Sequence, residues 1–341
     1  RFFPDPRKHH TVRSLLAFAA IQSTYKGPYT PGSALCLVYT FAQSSDSGLM
    51  RRVKGGMGSL CEALARSIEA VGGTVRLGAA VDHVLLEDGR ATGVVLKGGE
   101  TLRARVVLSN LDRPATFQRL VGEGRLDEAI ARKVAAAEHR GAWVHMLFRL
   151  DGLPSYGGEW AWLNADVHNR FGGAMVASPE ELQRSFETCD AGRLPDRMPV
   201  AFQFPSVMDP SLAPAGQHVA SAYGFCFPCK APRSERGRVR DAAADTVIDT
   251  ICGYLPDFRA RILDQAVFSA DHFASMHGAT EGDFTHGLIH PENMLGARAM
   301  VPGSAHRTPI AGLWMCGSAC HPGPGDDIEI QSAAATTGLF A

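Results

Sequence analysis

The chain has 341 residues, of which 45% are apolar, with 34 Lys and Arg against 35 Asp and Glu for a net charge of −1. This composition excludes a disordered chain, and the balanced charge leaves no broad basic surface for nucleic acid. The longest apolar run, Leu15 to Ile21, has seven residues, far short of the ~20 that span a bilayer.

The first residues carry no basic–apolar–small signal pattern. A cytoplasmic location follows as the expectation, with peripheral membrane contact left open and the oligomeric state undetermined. The eight cysteines are too sparse for a disulfide scaffold and read as buried thiols. Cys226-Phe227-Pro228-Cys229 has redox-motif spacing, but Lys230-Ala231-Pro232-Arg233 is a poor helix start, so a thiol oxidoreductase is the weakest functional reading. No His-Glu-x-x-His string and no second Cys-x-x-Cys occur, and no metal site is expected.

Taken in chain order, Val12 to Ile21 reads as a short buried helix and Gly27 to Gly32 as a turn-rich loop. Met57, Leu60, Cys61, Leu64, Ala65, Ile68 and Val71 recur with helical spacing, which predicts an amphipathic helix stopped by Gly72-Gly73. Thr74 to Leu77 reads as a short strand. Three β-rich runs follow: Ala80 to Leu86, Ala91 to Lys97 and Leu102 to Leu108. Asp88-Gly89 and Gly98-Gly99 separate them with hairpin chemistry. The third run ends at Ser109-Asn110, and an apolar strand ending in small polar residues is where open α/β sheets present ligands. Asp127 to Glu138 reads as a helix. Ala142 to Leu150 reads as a strand with Val144, Met146, Phe148 and Leu150 on one face. Val200 to Phe204 and Gln217 to Phe225 are further strands, and Arg240 to Tyr254 is a helix. The chain closes with a strand at Gly312 to Cys316, a glycine-rich turn at Gly317 to Gly325 and a helix at Ile328 to Leu339.

No GxSxG elbow, Walker loop or EF-hand loop is present. Gly56-Met57-Gly58-Ser59-Leu60-Cys61 starts like a dinucleotide fingerprint, but no apolar strand precedes it. The order of motifs is more informative. It runs from Lys54-Gly55-Gly56-Met57 through Gly72-Gly73-Thr74-Val75, Val81 and Val106-Val107-Leu108-Ser109-Asn110. It ends at Trp314-Met315-Cys316-Gly317-Ser318-Ala319-Cys320-His321-Pro322-Gly323. This order closely resembles the phytoene-desaturase-like branch of the FAD-dependent amine-oxidase superfamily, most strongly over 51–113 and 284–323.

That resemblance implies α/β plus α+β architecture: a partial FAD-binding, Rossmann-like domain with an inserted mixed-sheet substrate domain. The implied boundaries are 1–50 for a helical and loop part of the substrate region and 51–113 for a portion of the FAD domain. The substrate domain would be 114–305, and the C-terminal FAD portion 306–341. Cofactor contacts are expected from Gly55, Gly56, Met57, Val81, Ser109, Asn110, Gly317, Ser318 and Gly323. His286 and His321 are the implied ionisable groups nearest the reacting carbons, the expected catalytic residues.

Two departures stand out. The strand–GxGxxG–helix unit with which family members begin is absent, so the chain resembles the C-terminal two-thirds of a member. It is therefore expected to be a fragment that binds FAD weakly or not at all by itself and is inactive alone. Asp326, Asp327 and Glu329 also place three carboxylates where the family usually continues with glycines. The implied activity is desaturation, saturation or isomerisation of an apolar small molecule, possibly a polyene, by hydride transfer to or from flavin N5. The alternative is a non-catalytic binding or scaffold protein on a degraded flavoprotein fold.

Overall fold

The computed structural model begins with helices α1 (His10–Ala19), α2 (Ala34–Gln43) and α3 (Met57–Ala70). Strands β1 (Val81–Glu87), β2 (Arg90–Leu96), β3 (Thr101–Arg103) and β4 (Val107–Ser109) follow, then a π-helical stretch at Ala115–Gly122 and α4 (Glu128–Ala135). Next come β5 (Trp143–Leu150), β6 (Gly172–Met175), α5 (Pro179–Asp190), β7 (Val200–Gln203), α6 (Pro205–Met208) and β8 (His218–Phe225). The remaining elements are α7 (Arg236–Cys252), β9 (Ile262–Ser269), α8 (Ala270–His277) and β10 (Leu313–Met315). The structure describes residues 3–22, 24–43 and 53–324. The predicted helix at Ile328 to Leu339 and the acidic residues Asp326, Asp327 and Glu329 lie outside the described residues.

Contacts divide the chain into two units. The first comprises Arg1–Pro31, Ser44–Val75 and Gly141–Asp271. It is built on an antiparallel sheet in the order β6-β7-β8-β5-β9. The period-two spacing of β5 sends Val144, Met146, Phe148 and Leu150 to one face, as predicted, and none is more than 2% exposed. That face packs on α7 through Val247, Ile248 and Ile251. Each large apolar side chain so buried contributes ~1.5–3 kcal/mol. The other face carries rings. His145 stacks on Tyr223 with centroids 4.1 Å apart and planes 2° apart, and Trp143 and Phe268 lie within about 6 Å of that pair.

Helix α5 was not predicted, although Ser178-Pro179-Glu180-Glu181 is a capping-box signature. Ser178 Oγ accepts from Glu181 N at 3.2 Å, and Glu181 Oε2 accepts from Ser178 N at 3.1 Å. Helix α3 forms where expected and ends as expected: Gly73 N donates to Ile68 O at 2.9 Å and Gly72 N to Glu69 O at 3.0 Å. Its apolar stripe is not core, however. No residue of α3 is buried against the described residues, and Leu64 and Ile68 are 50% and 46% exposed. The predicted strand at Thr74 to Leu77 does not form. Val75 and Leu77 are exposed and no described strand pairs with them.

The second unit comprises Gly32–Gln43, Arg76–Arg140 and His272–Ala341. Strands β1, β2 and β3 form an antiparallel meander. Asp88 (φ 48°) and Gly89 (φ 75°) both take positive φ in the first hairpin, as the sequence predicts for a tight turn there. The predicted single strand from Leu102 to Leu108 is two strands in two sheets. Ala104 N still bonds to Thr92 O in the meander, whereas Val107 N bonds to Gly312 O and starts a parallel pairing with β10. Val107 then faces Leu313, Leu108 faces Trp314 and Ser109 faces Met315. Val84, Phe117, Leu120, Leu313 and Met315 form the core of this unit.

These units differ from the boundaries expected from sequence. Residues 114–140 and 272–305 fall in one unit with 76–113, while the residues of α3 fall in the first unit. The physical reason is a set of buried side chains that tie the 283–298 segment to 109–113 and to the turn after β10.

Candidate functional site

The carboxyl ends of the parallel pair β4 and β10 lie side by side, and this is the position at which α/β sheets receive ligands. The carbonyl of Ser109 accepts from Cys316 N at 2.9 Å, which locks the two strand ends in register. The Ser109 hydroxyl lies 2.7 Å from Thr116 Oγ1 and accepts from Leu111 N at 3.3 Å, so it holds the turn into the next helical stretch. Asn110 is exposed at the strand end. Gly317 has φ 76°, and a Cβ there would collide with Asn110 Oδ1. Only glycine permits this approach with that backbone geometry. Gly323 makes a similar tight passage: at φ 147°, a Cβ would collide with the Met294 side chain and lie 3.2 Å from the Tyr39 hydroxyl.

Beneath these turns lie two buried guanidinium groups. Arg298 is 1% exposed and Arg113 is 2% exposed. Arg298 donates to four carbonyls: Thr285 and His286 at 3.3 Å each, Gly287 at 2.5 Å, and Ser318. It thereby joins the loop carrying His286 to the turn carrying Ser318. Burial, followed by the repulsion of Arg113, pushes its pKa down to about 10, so it stays protonated at neutral pH. Arg113 donates to Asn293 Oδ1 at 2.6 Å and to Ala297 O at 3.0 Å. The Nε of each arginine has no acceptor among the described residues.

Two buried carboxylates complete the cluster. Asp112 accepts from Ala115 N, Thr280 N and Thr280 Oγ1 at 2.7–2.8 Å. Asp283 accepts from Thr285 N and Gly287 N at 2.9 Å, and His139 Nδ1 lies 3.5 Å away. Burial pulls the Asp283 pKa upward, but His139 and Thr285 outweigh it and the net shift is downward.

Among the predicted residues, Ser109, Asn110, Gly317 and Ser318 meet in this one place in the second unit. His286 is half-buried on the loop that Arg298 holds, with φ 53°, and His321 is exposed after the turn. Val81 is half-buried at the first residue of β1. Gly55, Gly56 and Met57 belong to the first unit, at the entry to α3, where Gly55 N donates to Asp209 Oδ2 at 2.7 Å. Sequence reasoning missed Arg113, Arg298, His139 and Asn293. Asp112-Arg113 directly follows the Ser109-Asn110 motif, which was a usable signal; Arg298 sits in no motif. Cys226 and Cys229 are buried and not joined in a disulfide, and the next helix starts only at Arg236, beyond a turn and a short 3-10 stretch. No described cluster of His, Cys, Asp and Glu is placed to hold a metal ion, and no described helix is long and apolar enough to cross a membrane.

Residues 12–133 match the family model of flavin containing amine oxidoreductase. A rat (Rattus norvegicus) protein, pyridine nucleotide-disulfide oxidoreductase domain-containing protein 2, is 28% identical over 92% of this chain and 55% of its own length. A phytoene desaturase (neurosporene-forming) from Cereibacter sphaeroides is 27% identical over 82% of this chain and 51% of its own length. Among solved structures, a putrescine oxidase triple mutant aligns with a TM-score of 0.61 at 13% identity, over 98% of this chain and 64% of that one. An oxidoreductase from Methanosarcina mazei aligns with a TM-score of 0.54 at 18% identity, over 84% of this chain and 55% of that one. Those structural likenesses establish a fold of the amine-oxidase kind. The chain is similar to phytoene-desaturase-like proteins of the amine-oxidase superfamily. It spans about half the length of the curated relatives that it matches.

Proposed function

We propose that the protein is an FAD-dependent oxidoreductase acting on an apolar, polyene-type small molecule by desaturation, saturation or isomerisation. The observation that carries the reading is the pair of strand ends at Ser109-Asn110 and Gly317-Ser318. There a glycine with positive φ presses against an exposed asparagine at the carboxyl edge of a parallel pair. This geometry fits close passage of backbone past a flat cofactor. The Nε atoms of Arg113 and Arg298 have no acceptor among the described residues, which leaves two buried donors beside these turns for a polar group.

FAD, when bound, supplies the hydride acceptor or donor. The chain's own residues do the remaining work. Asn110 offers an amide at the strand end, Gly317 and Gly323 let the backbone approach, and Ser318 is held by Arg298 through its carbonyl. Val81 contributes backbone at the start of β1. His286 and His321 are the groups assigned to hold or move a proton, and Arg298 fixes the backbone of the first. Within the first unit, the partly exposed rings of His145, Tyr223 and Phe268 make an aromatic sheet face of the kind that suits flat, conjugated molecules. The activity for which the bacterial phytoene desaturase is named supports that substrate class. No strand–GxGxxG–helix unit lies within the 341 residues, so FAD binding by this chain alone is expected to be weak.

The test is spectroscopic. Protein completed with the upstream part of the FAD domain and purified with FAD should be yellow, with flavin absorbance retained through gel filtration. Gly317→Ala should abolish that retention at unchanged far-UV circular dichroism. Colourless wild-type protein would refute the flavin reading.

A further inference from the structure

A cavity of about 470 Å³ opens in the first unit between α5 and the segment that leads into β7. The proposed function makes no use of it. Its floor is apolar: Leu182, Met198 and Met175 are 1%, 2% and 6% exposed. Pro195, Pro199 and Tyr254 extend that apolar wall. Its rim is different in kind, because Arg184, Arg193 and Arg197 all line it and all are exposed.

None of these three guanidinium groups is paired with a carboxylate among the described residues. That contrasts with other arginines of the same unit. Arg236 pairs with Asp271, Arg259 with Asp245 and Asp249, and Arg261 with Asp151 and Asp257. Two carboxylates also line the cavity, so the rim carries one net positive charge. Glu181 is committed to the cap of α5, where it accepts from Ser178 N. Asp196 is exposed between the arginines in sequence.

The placement of the rim follows from the end of α5. Gly192, at φ 77°, closes a Schellman turn in which Gly192 N bonds to Cys189 O and Arg193 N to Thr188 O. The chain therefore reverses, and Ser185 Oγ donates to the carbonyl of Arg197 at 3.4 Å. This turn brings Arg193 and Arg197 to the cavity that Arg184 lines from the helix.

We propose that this cavity binds an amphipathic anion, with an apolar body of about eight to ten carbons and a single carboxylate or phosphate head. The body lies on Leu182, Met198 and Met175. The head sits among Arg184, Arg193 and Arg197, whose planar forks match carboxylate and phosphate oxygens. The volume is within the range of small-molecule sites, ~300–1,000 Å³. The inference is independent of the flavin reading, because it rests on residues 175–199 and 254 alone.

Calorimetric titration of the purified protein with decanoate, decyl phosphate, decanol and inorganic phosphate tests it. At least one of the two anionic amphiphiles should bind, at least tenfold more tightly than decanol or inorganic phosphate, and the tighter of the two identifies the head group. Replacing Arg184, Arg193 and Arg197 together by Gln should weaken that binding at least tenfold with the melting temperature unchanged. Leu182→Ala should weaken it as well; because that buried residue also serves the core, Ser185→Trp, which fills the cavity mouth, provides the second steric test. The proposal is overturned if neither anion binds at millimolar concentration, if decanol binds equally well, or if the Gln variant binds like the wild type.

Discussion

Replacing Arg298 by Met is the most direct probe of what holds the candidate site together. The side chain is 1% exposed and donates to four carbonyls on two loops. The contacts to Thr285 and His286, at 3.3 Å, are long and share one nitrogen, so they count for little. The contacts to Gly287 and Ser318 are short. Leaving each of these two buried carbonyls without a donor costs ~1–3 kcal/mol, or ~2–6 kcal/mol together. The substitution also removes a charge that burial and Arg113 both disfavour, and relief of that kind has offset ~1–4 kcal/mol in other buried ionic clusters. The acceptors remain buried after the change, so the loss should dominate, at ~1–2 kcal/mol. Equilibrium urea unfolding reads this as a lower midpoint at unchanged slope. Arg298→Lys keeps the charge and reaches fewer carbonyls, and it should fall between Met and the wild type. A loss below ~0.5 kcal/mol for Arg298→Met, within the range of an ordinary surface change, would refute the reasoning.

His145 should make stability pH-dependent. Burial lowers its pKa to about 4 in the folded state from 6.5. The unfolded chain therefore binds an extra proton as pH falls from 6.5 towards 4, and stability is lost across that window. Partial exposure screens the effect to ~1–2 kcal/mol, and His145→Gln, which can keep the contact with Ser221, should flatten the urea midpoint between pH 7 and 4.5. Asp283 acts at lower pH: its depressed pKa gives stability that is present above the unfolded value of 3.8 and lost below it. Asp283→Asn should remove that acid limb in the same titration. Ser178→Ala deletes half of the α5 capping box and should cost ~1 kcal/mol by thermal unfolding. Cys226→Ser together with Cys229→Ser should leave flavin-dependent turnover unchanged, and its loss would revive the thiol reading.

The fold was legible wherever a single element carried its own periodicity. The alternation in β5 and the glycines after α3 could be read directly, because side-chain spacing and a positive-φ stop are local properties. The run from Leu102 to Leu108 misled for a non-local reason. Its first half pairs with β2 and its second half with β10, some two hundred residues away, and nothing within the run marks the change of partner. Helix α3 shows the opposite failure. Its pattern correctly predicted a helix, but periodicity does not name the surface that its apolar stripe meets, and Leu64 and Ile68 are half exposed.

The candidate site was legible to the same extent. Ser109-Asn110 and Gly317-Ser318 were visible because strand ends and glycine turns leave a mark in sequence. The arginines were not, because a buried guanidinium is recognised by its acceptors, and those of Arg298 are backbone carbonyls supplied by any residue type. The consequence concerns how the site is stabilised. The turns that approach each other are shaped by glycines, which by themselves favour no single conformation. Arg298, with its bonds to Gly287 and Ser318, and Arg113, with its bonds to Asn293 and Ala297, restrict them. Glycine makes the close approach sterically accessible and the buried charge network makes it persistent. A defect in either should therefore disturb the position of His286 relative to Ser318 before it unfolds the unit, so flavin retention should fall at lower urea concentration than far-UV circular dichroism.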